Sequence, residues 1–142
     1  MFLWDSNIVR HFAEGYPTLR LHLLRVSWAE IALPSVVVAE VLNGRCDFAL
    51  KATPDQAVDA HQRLMDTIQM LQHFQVVRFD AACADHLRHL QSKLKTRKRY
   101  ADVMIAATAL AGRHVVVTRN IAHFVDLLPA NQLVNWIDQP PR

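Results

Sequence analysis

Asp5, Glu40 and Asp102 are the residues whose type and setting could do chemistry in this sequence. Asp5 closes the apolar run Phe2-Leu3-Trp4, and Glu40 lies between Val36-Val37-Val38-Ala39 and Val41-Leu42. Asp102 lies between Ala101 and Val103-Met104-Ile105-Ala106-Ala107. A carboxylate among apolar residues is costly unless it is paired or bound to a cation. Each acid also has an ordinary alternative: Asp5 and Asp102 as helix caps, and Glu40 as the partner of Arg45 or another cation. Three acids gathered by one fold would suit a hard divalent ion, Mg²⁺ or Mn²⁺, which prefers carboxylate and water oxygens. No softer ligand set competes. Cys46 and Cys83 are far apart, and His86 with His89 has no third ligand, so both pairs read as structural.

Carboxylate-held Mg²⁺ can acidify a bound water, align it with a phosphodiester and stabilise the leaving oxygen. The residues alone therefore point to a metal-dependent phosphodiesterase. A basic run adds to this. No acid occurs from His86 to Ala101, whereas Arg88, Lys93, Lys95, Arg97, Lys98 and Arg99 are all cationic. Lys93, Lys95, Arg97, Lys98 and Arg99 could lie along an RNA backbone, or form a solvated helix end near a favourable dipole. The net charge of +3 is modest for a nucleic-acid binder.

The elements that must position these groups alternate along the chain. Phe2-Leu3-Trp4 reads as a strand, with Asp5-Ser6-Asn7 capping a helix to about Phe12. A second helix is expected from Pro17 through Leu23 and Val26 to Trp28. Ile31-Ala32-Leu33 is a second strand, and Ser35 is expected to cap the helix that carries Glu40. Thr53 and Gln56 suggest a capping box before a helix with Leu64, Ile68 and Leu71 on its inner face. Val76-Val77 is a third strand, and Asp80 caps the next helix. Residues 101–111 form a helix buried on most sides, which Gly112 is expected to end. Val115-Val116-Val117 has the composition of a strand buried on both faces, and residues 133–137 read as a fifth strand. Strands separated by helices imply βαβ crossovers, hence an α/β three-layer sandwich with a mostly parallel sheet of about five strands.

The 142 residues, 51% hydrophobic and 20% charged, suit one domain with a real core over residues 1–142. No apolar run approaches the roughly 20 residues that span a bilayer, and the N-terminus lacks a signal-peptide pattern. A cytoplasmic protein with no membrane partner is expected.

Four segments, in order, resemble one known family, the PIN domains. Leu3-Trp4-Asp5-Ser6-Asn7 is similar to their opening strand, and Val37-Val38-Ala39-Glu40-Val41-Leu42-Asn43-Gly44 to their E-L-x-x-G helix. Tyr100-Ala101-Asp102-Val103-Met104-Ile105-Ala106-Ala107-Thr108-Ala109-Leu110 resembles the D-x-x-I-A-A-x-A-L helix. Val117-Thr118-Arg119-Asn120-Ile121-Ala122-His123-Phe124 resembles the T-R-N-x-x-x-F segment. The nearest subgroup is the VapC toxins of type II toxin–antitoxin pairs, including their FitB-like branch. This resemblance implies a Mg²⁺- or Mn²⁺-dependent endoribonuclease, a homodimer, and a cognate antitoxin that covers the active site. It also implies Asp5, Asp102 and Glu40 as metal ligands.

Many members carry a fourth acid where this sequence has Asn120, so a second metal would bind more weakly here. Asn120 is still placed to serve catalysis through its amide or a water. Ser6, Asn7 and Thr118 are candidates for orienting acids or metal-bound water, or for simple capping. His123 could touch substrate or be a polar residue on a short helix, and Asp126 reads as a surface residue. Arg119 could reach RNA phosphate or form a salt bridge. The tryptophans read as core or dimer-contact residues. Two other functions stay open: a PIN-like module that binds RNA or protein without cutting, and another α/β phosphate enzyme. The last lacks both a glycine-rich phosphate loop and a D-x-D pair after the first strand.

Overall fold

A computed structural model describes residues 1–93 and 99–142. Its strands are β1 (Phe2–Trp4), β2 (Ile31–Pro34), β3 (Gln75–Val77), β4 (Val115–Val117) and β5 (Leu133–Val134). They form one sheet in the order β3-β2-β1-β4-β5, and every pairing is parallel. Around it lie α1 (Ser6–Ala13), α2 (Pro17–Leu23), α3 (Ser35–Lys51), α4 (Pro54–Leu71), α5 (Ala81–Lys93) and α6 (Tyr100–Gly112). The expected α/β class and parallel sheet are thus observed.

From β1 the chain builds outward through β2 and β3, then returns to add β4 and β5 on the other side. The order reverses between β1 and β4, whose carboxyl ends are Trp4 and Val117. Helices leave adjacent parallel strands in opposite directions at such a point, which opens a crevice where α/β proteins bind ligands. Asp5 and Thr118 are the first residues past those two strand ends.

Burial of β1 holds this crevice in place. Leu3 and Trp4 are completely buried, as are Ala32, Leu33, Val116 and Val117 beside them. Trp4 sits among Phe12, Phe74, Trp28 and Trp136, with ring centroids 5.4–6.4 Å away. Aromatic pairs at this spacing add to the burial energy and restrict the ring. Trp4 and Trp136 are therefore core residues, whereas Trp28 stays partly exposed.

Several element boundaries differ from expectation. α2 ends at Leu23, and Trp28 belongs to a separate 3₁₀ turn held by the Ser27–Glu30 capping box. Ser35 is the first residue of α3 rather than its cap, which is Pro34. Thr53 does cap α4, yet its side chain makes no capping bond; the Thr53 carbonyl accepts the Gln56 N–H instead. β5 stops at Val134 because Asn135 Oδ1 accepts the N–H groups of Ile137 and Asp138, which turns the chain away.

The end of α6 also differs. Gly112 is still helical, and Arg113 adopts the left-handed conformation at φ 53° and ψ 39°. A Cβ on Gly112 would lie 2.1 Å from His114 Nε2, so close approach explains the glycine. Arg113→Gly is expected to stabilise the protein by about 0.5–1 kcal/mol, because it relieves the Cβ clash of left-handed backbone. Thermal melting that shows no gain would contradict this.

Candidate functional site

Asp5 links the end of β1 to the start of α1. As the N-cap it accepts the Ile8 N–H at Oδ1, 2.9 Å, while its own N–H donates to the Val117 carbonyl. Its other oxygen, Oδ2, accepts the Thr118 hydroxyl at 2.6 Å. Thr118 is fully buried, and its Oγ1 in turn accepts the Asn120 N–H at 3.0 Å. One hydroxyl therefore ties the ends of β1 and β4 together and fixes the Asp5 carboxylate.

Asp5 itself is only 5% exposed. Burial pushes its carboxyl above the ordinary value, and the Asp102 charge pushes the same way. Hydrogen bonds from Thr118, Ile8 and Asn7 pull it down without cancelling the burial effect. This is an acid kept partly out of water, close to another acid, with hydroxyl and amide donors and no cationic side chain among its causes of shift.

Glu40 differs from the expectation that its apolar neighbours would bury it. It is exposed, because Val37 takes the inward position of this turn of α3. Partial desolvation still raises its carboxyl; the Ser6 hydroxyl opposes this, and the charges of Asp102 and Asp5 reinforce it. Asp102, in the first turn of α6, is about one-quarter exposed, with Oδ2 3.3 Å from His123 Nδ1. The three acids thus share one electrostatic field. They do not make a closed cage, since no group of three or more His, Cys, Asp or Glu among the described residues is tight enough to hold an ion.

The donor chemistry nonetheless fits a hydrated hard cation. Carboxylates and hydroxyls are present, and both described cysteines lie elsewhere. Mg²⁺ keeps several waters and commonly takes only one or two carboxylates directly, so waters can reach a third acid. Burial is the larger cause of the raised Asp5 and Glu40 carboxyls, and the mutual repulsion that adds to it is the kind a divalent ion relieves.

Beside Glu40 runs an open groove of about 1020 Å³ between α1, α3 and α4. Its charged lining is balanced, with Arg10, Arg45 and Arg63 alongside Glu14, Glu40 and Asp66, and Arg63 pairs with Asp59 at 2.8 Å. Sequence reasoning named Arg45 only as a partner for Glu40 and missed Arg10 and Arg63, which lie far apart along the chain. The available signal was helical spacing: Asn7 and Arg10 are three apart, and Val41 and Arg45 are four apart.

The basic run is placed less simply. Lys93 is exposed at the end of α5, whereas Lys95, Arg97 and Lys98 lie outside the described residues. Arg99 is not an open phosphate contact. Its guanidinium binds both oxygens of Asp126, at 2.8 and 2.9 Å, and the His123 carbonyl. Asp126 is therefore a paired surface acid. Arg119 similarly pairs with Asp138 at 3.0 Å. No helix among the described residues is long and apolar enough to cross a membrane.

Solved structures share this architecture. FitAcB from Neisseria gonorrhoeae matches at 25% identity with a TM-score of 0.75, over 98% of this chain and 100% of that one. DNA-bound VapBC from Salmonella typhimurium matches at 20% identity and a TM-score of 0.75, over 95% and 97% of the two chains. A toxin–antitoxin complex from Klebsiella pneumoniae matches at 20% identity and a TM-score of 0.69, over 96% and 98%. Comparison with curated proteins finds no match. The PIN domain family model matches residues 3–126, a span that runs from β1 past the Asn120 turn and includes all three acids. The chain belongs to the PIN domain family.

Proposed function

We propose that this protein is a divalent-metal-dependent endoribonuclease and the toxin of a toxin–antitoxin pair. The observation that carries the reading is Asp5: a buried carboxylate at the β1/β4 switch point, raised by burial and by Asp102. Members of the family generally use divalent ions, and the structural neighbours include a toxin–antitoxin complex.

In this reading Asp5, Asp102 and Glu40 hold Mg²⁺, or Mn²⁺, directly or through waters. When bound, the ion acidifies a water and stabilises the leaving oxygen of a phosphodiester. The protein's own residues do the positioning. Thr118 fixes Asp5, Ser6 steadies Glu40, and the Ile8 and Asn7 amides favour the ionised form of Asp5 against the effect of its burial. Asn120 presents a neutral amide where a further acid would strengthen a second ion, so one metal is the proposed stoichiometry. Arg10 and Arg45 offer contacts for RNA phosphate in the adjoining groove, among the acids Glu14, Glu40 and Asp66. A homodimer and a cognate antitoxin complete the proposal.

One observation favours a second reading, a PIN fold that binds RNA or protein without cutting: the described acids form no closed ligand cage. Purified, antitoxin-free protein incubated with a tRNA or total-RNA pool separates the two. Mg²⁺-dependent cleavage is expected, lost with EDTA and in Asp5→Ala. Folded wild-type protein that stays inert across RNAs and metals would leave the binding module as the better account.

A further inference from the structure

The Arg99–Asp126 ion pair joins two parts of the chain that meet beside Asp102. Arg99 is the N-cap residue of α6, and its carbonyl accepts the Val103 N–H. Its guanidinium reaches across to Asp126, with Nη1 2.8 Å from Oδ2 and Nη2 2.9 Å from Oδ1. Nη2 also donates to the backbone carbonyl of His123, the last residue of the 3₁₀ turn after Asn120. That turn carries the His123 ring to Asp102, Nδ1 to Oδ2 3.3 Å. An exposed ion pair contributes little to stability by itself, but a bidentate arginine is geometrically exacting.

We propose that Asp126, Arg99 and His123 form a brace that orients the Asp102 carboxylate for cation binding. They are positioning residues. Asp126 occupies both terminal nitrogens of Arg99 and so keeps this nearby cation from pairing with Asp102 in the ion's place. The guanidinium, thus fixed, pins the 3₁₀ turn, and His123 engages one carboxylate oxygen of Asp102. The ring thereby restricts how that carboxylate can turn. Groups behind a ligating carboxylate commonly set metal affinity in this way. The inference rests on the metal reading of Asp5, Glu40 and Asp102.

Mn²⁺ titration followed by electron paramagnetic resonance tests it on the intact chain, without recourse to cleavage. The arms are wild type, Asp126→Asn, His123→Ala, His123→Asn and Asp5→Ala. Asp126→Asn and His123→Ala are each expected to bind Mn²⁺ roughly tenfold more weakly. His123→Asn should recover part of the loss, because an asparagine side-chain nitrogen occupies nearly the position of histidine Nδ1. Melting temperatures should stay within about 2 °C of wild type, as befits exposed groups. Unchanged or tighter binding in both Asp126→Asn and His123→Ala overturns the brace. So does an Asn at position 123 that binds no better than Ala. Failure of wild type to take up Mn²⁺, or equal uptake by Asp5→Ala, overturns the metal reading and the brace with it.

Discussion

Asp5→Asn is expected to abolish metal-dependent cleavage while making the metal-free protein more stable at neutral pH. The activity loss should be at least about a hundredfold, equivalent to about 2.7 kcal/mol at the transition state. The stability gain follows from what surrounds the charge. Burial is the largest influence on Asp5 and raises its carboxyl above the ordinary 3.8, despite the opposing hydrogen bonds. A raised folded value means that the native state binds its proton more tightly than the unfolded chain. The Asp5 contribution is therefore complete below the unfolded value and lost as pH rises through the folded one. Asparagine carries no such loss and caps a helix about as well as aspartate. The variant's advantage should thus open as pH rises from about 4 to 7, reaching about 3 °C in Tm, on the order of 1 kcal/mol for a domain of this size. Mg²⁺ should reverse the order, because it binds and stabilises only the wild type. Thermal melts at both pH values, with Mg²⁺ or EDTA, would show it. An asparagine variant less stable than wild type at pH 7 in EDTA would mean that the hydrogen bonds of the Asp5 carboxylate outweigh the cost of its burial.

Asp5 was legible in the sequence because several local rules agree on it. A strand of apolar residues, a capping acid and a following helix place it at a carboxyl strand end, where α/β proteins keep their ligands. Val115-Val116-Val117 declared a buried parallel strand in the same way, and the Thr118 that follows it inherited its position. Glu40 shows the limit of such reasoning. Its apolar neighbours suggested burial, but a helix turns each neighbour by about 100°, and exposure depends on which faces α4, α6 and α1 cover. Arg99 shows another limit. Its charge was legible, but its partner Asp126 is 27 residues away and meets it only through the return of the chain after β4. Boundary errors have local causes: the Ser27–Glu30 box interrupts the expected helix, and the Asn135 turn ends β5 early. In each case a side-chain bond to nearby backbone or a neighbouring side chain prevailed over hydrophobic periodicity.

The hydroxyl of Thr118 is where fold and site meet most directly, and Thr118→Val should weaken both. Valine matches the shape of threonine but cannot donate to Asp5 Oδ2 or accept the Asn120 N–H. Two polar groups would lose their partner at a fully buried position, one of them on a carboxylate. The expected loss is about 1–3 kcal/mol at neutral pH, read from denaturant melts in EDTA. Cleavage should fall roughly 10- to 100-fold, as when a group that orients a ligand is removed. The pH dependence has a definite sign. The Thr118 bond pulls the Asp5 carboxyl down, so without it that carboxyl rises further and fewer molecules are ionised at a given pH. The activity deficit should therefore be larger at pH 6 than at pH 8. Thr118→Ser, which keeps the hydroxyl, should retain most of the cleavage while losing a buried methyl. A double-mutant cycle isolates the cause. In an Asp5→Asn background, Thr118→Val leaves a neutral amide short of a partner rather than a charge, so its cost should shrink by on the order of 1 kcal/mol. Strict additivity would mean that Thr118 stabilises the fold without acting on the Asp5 carboxylate.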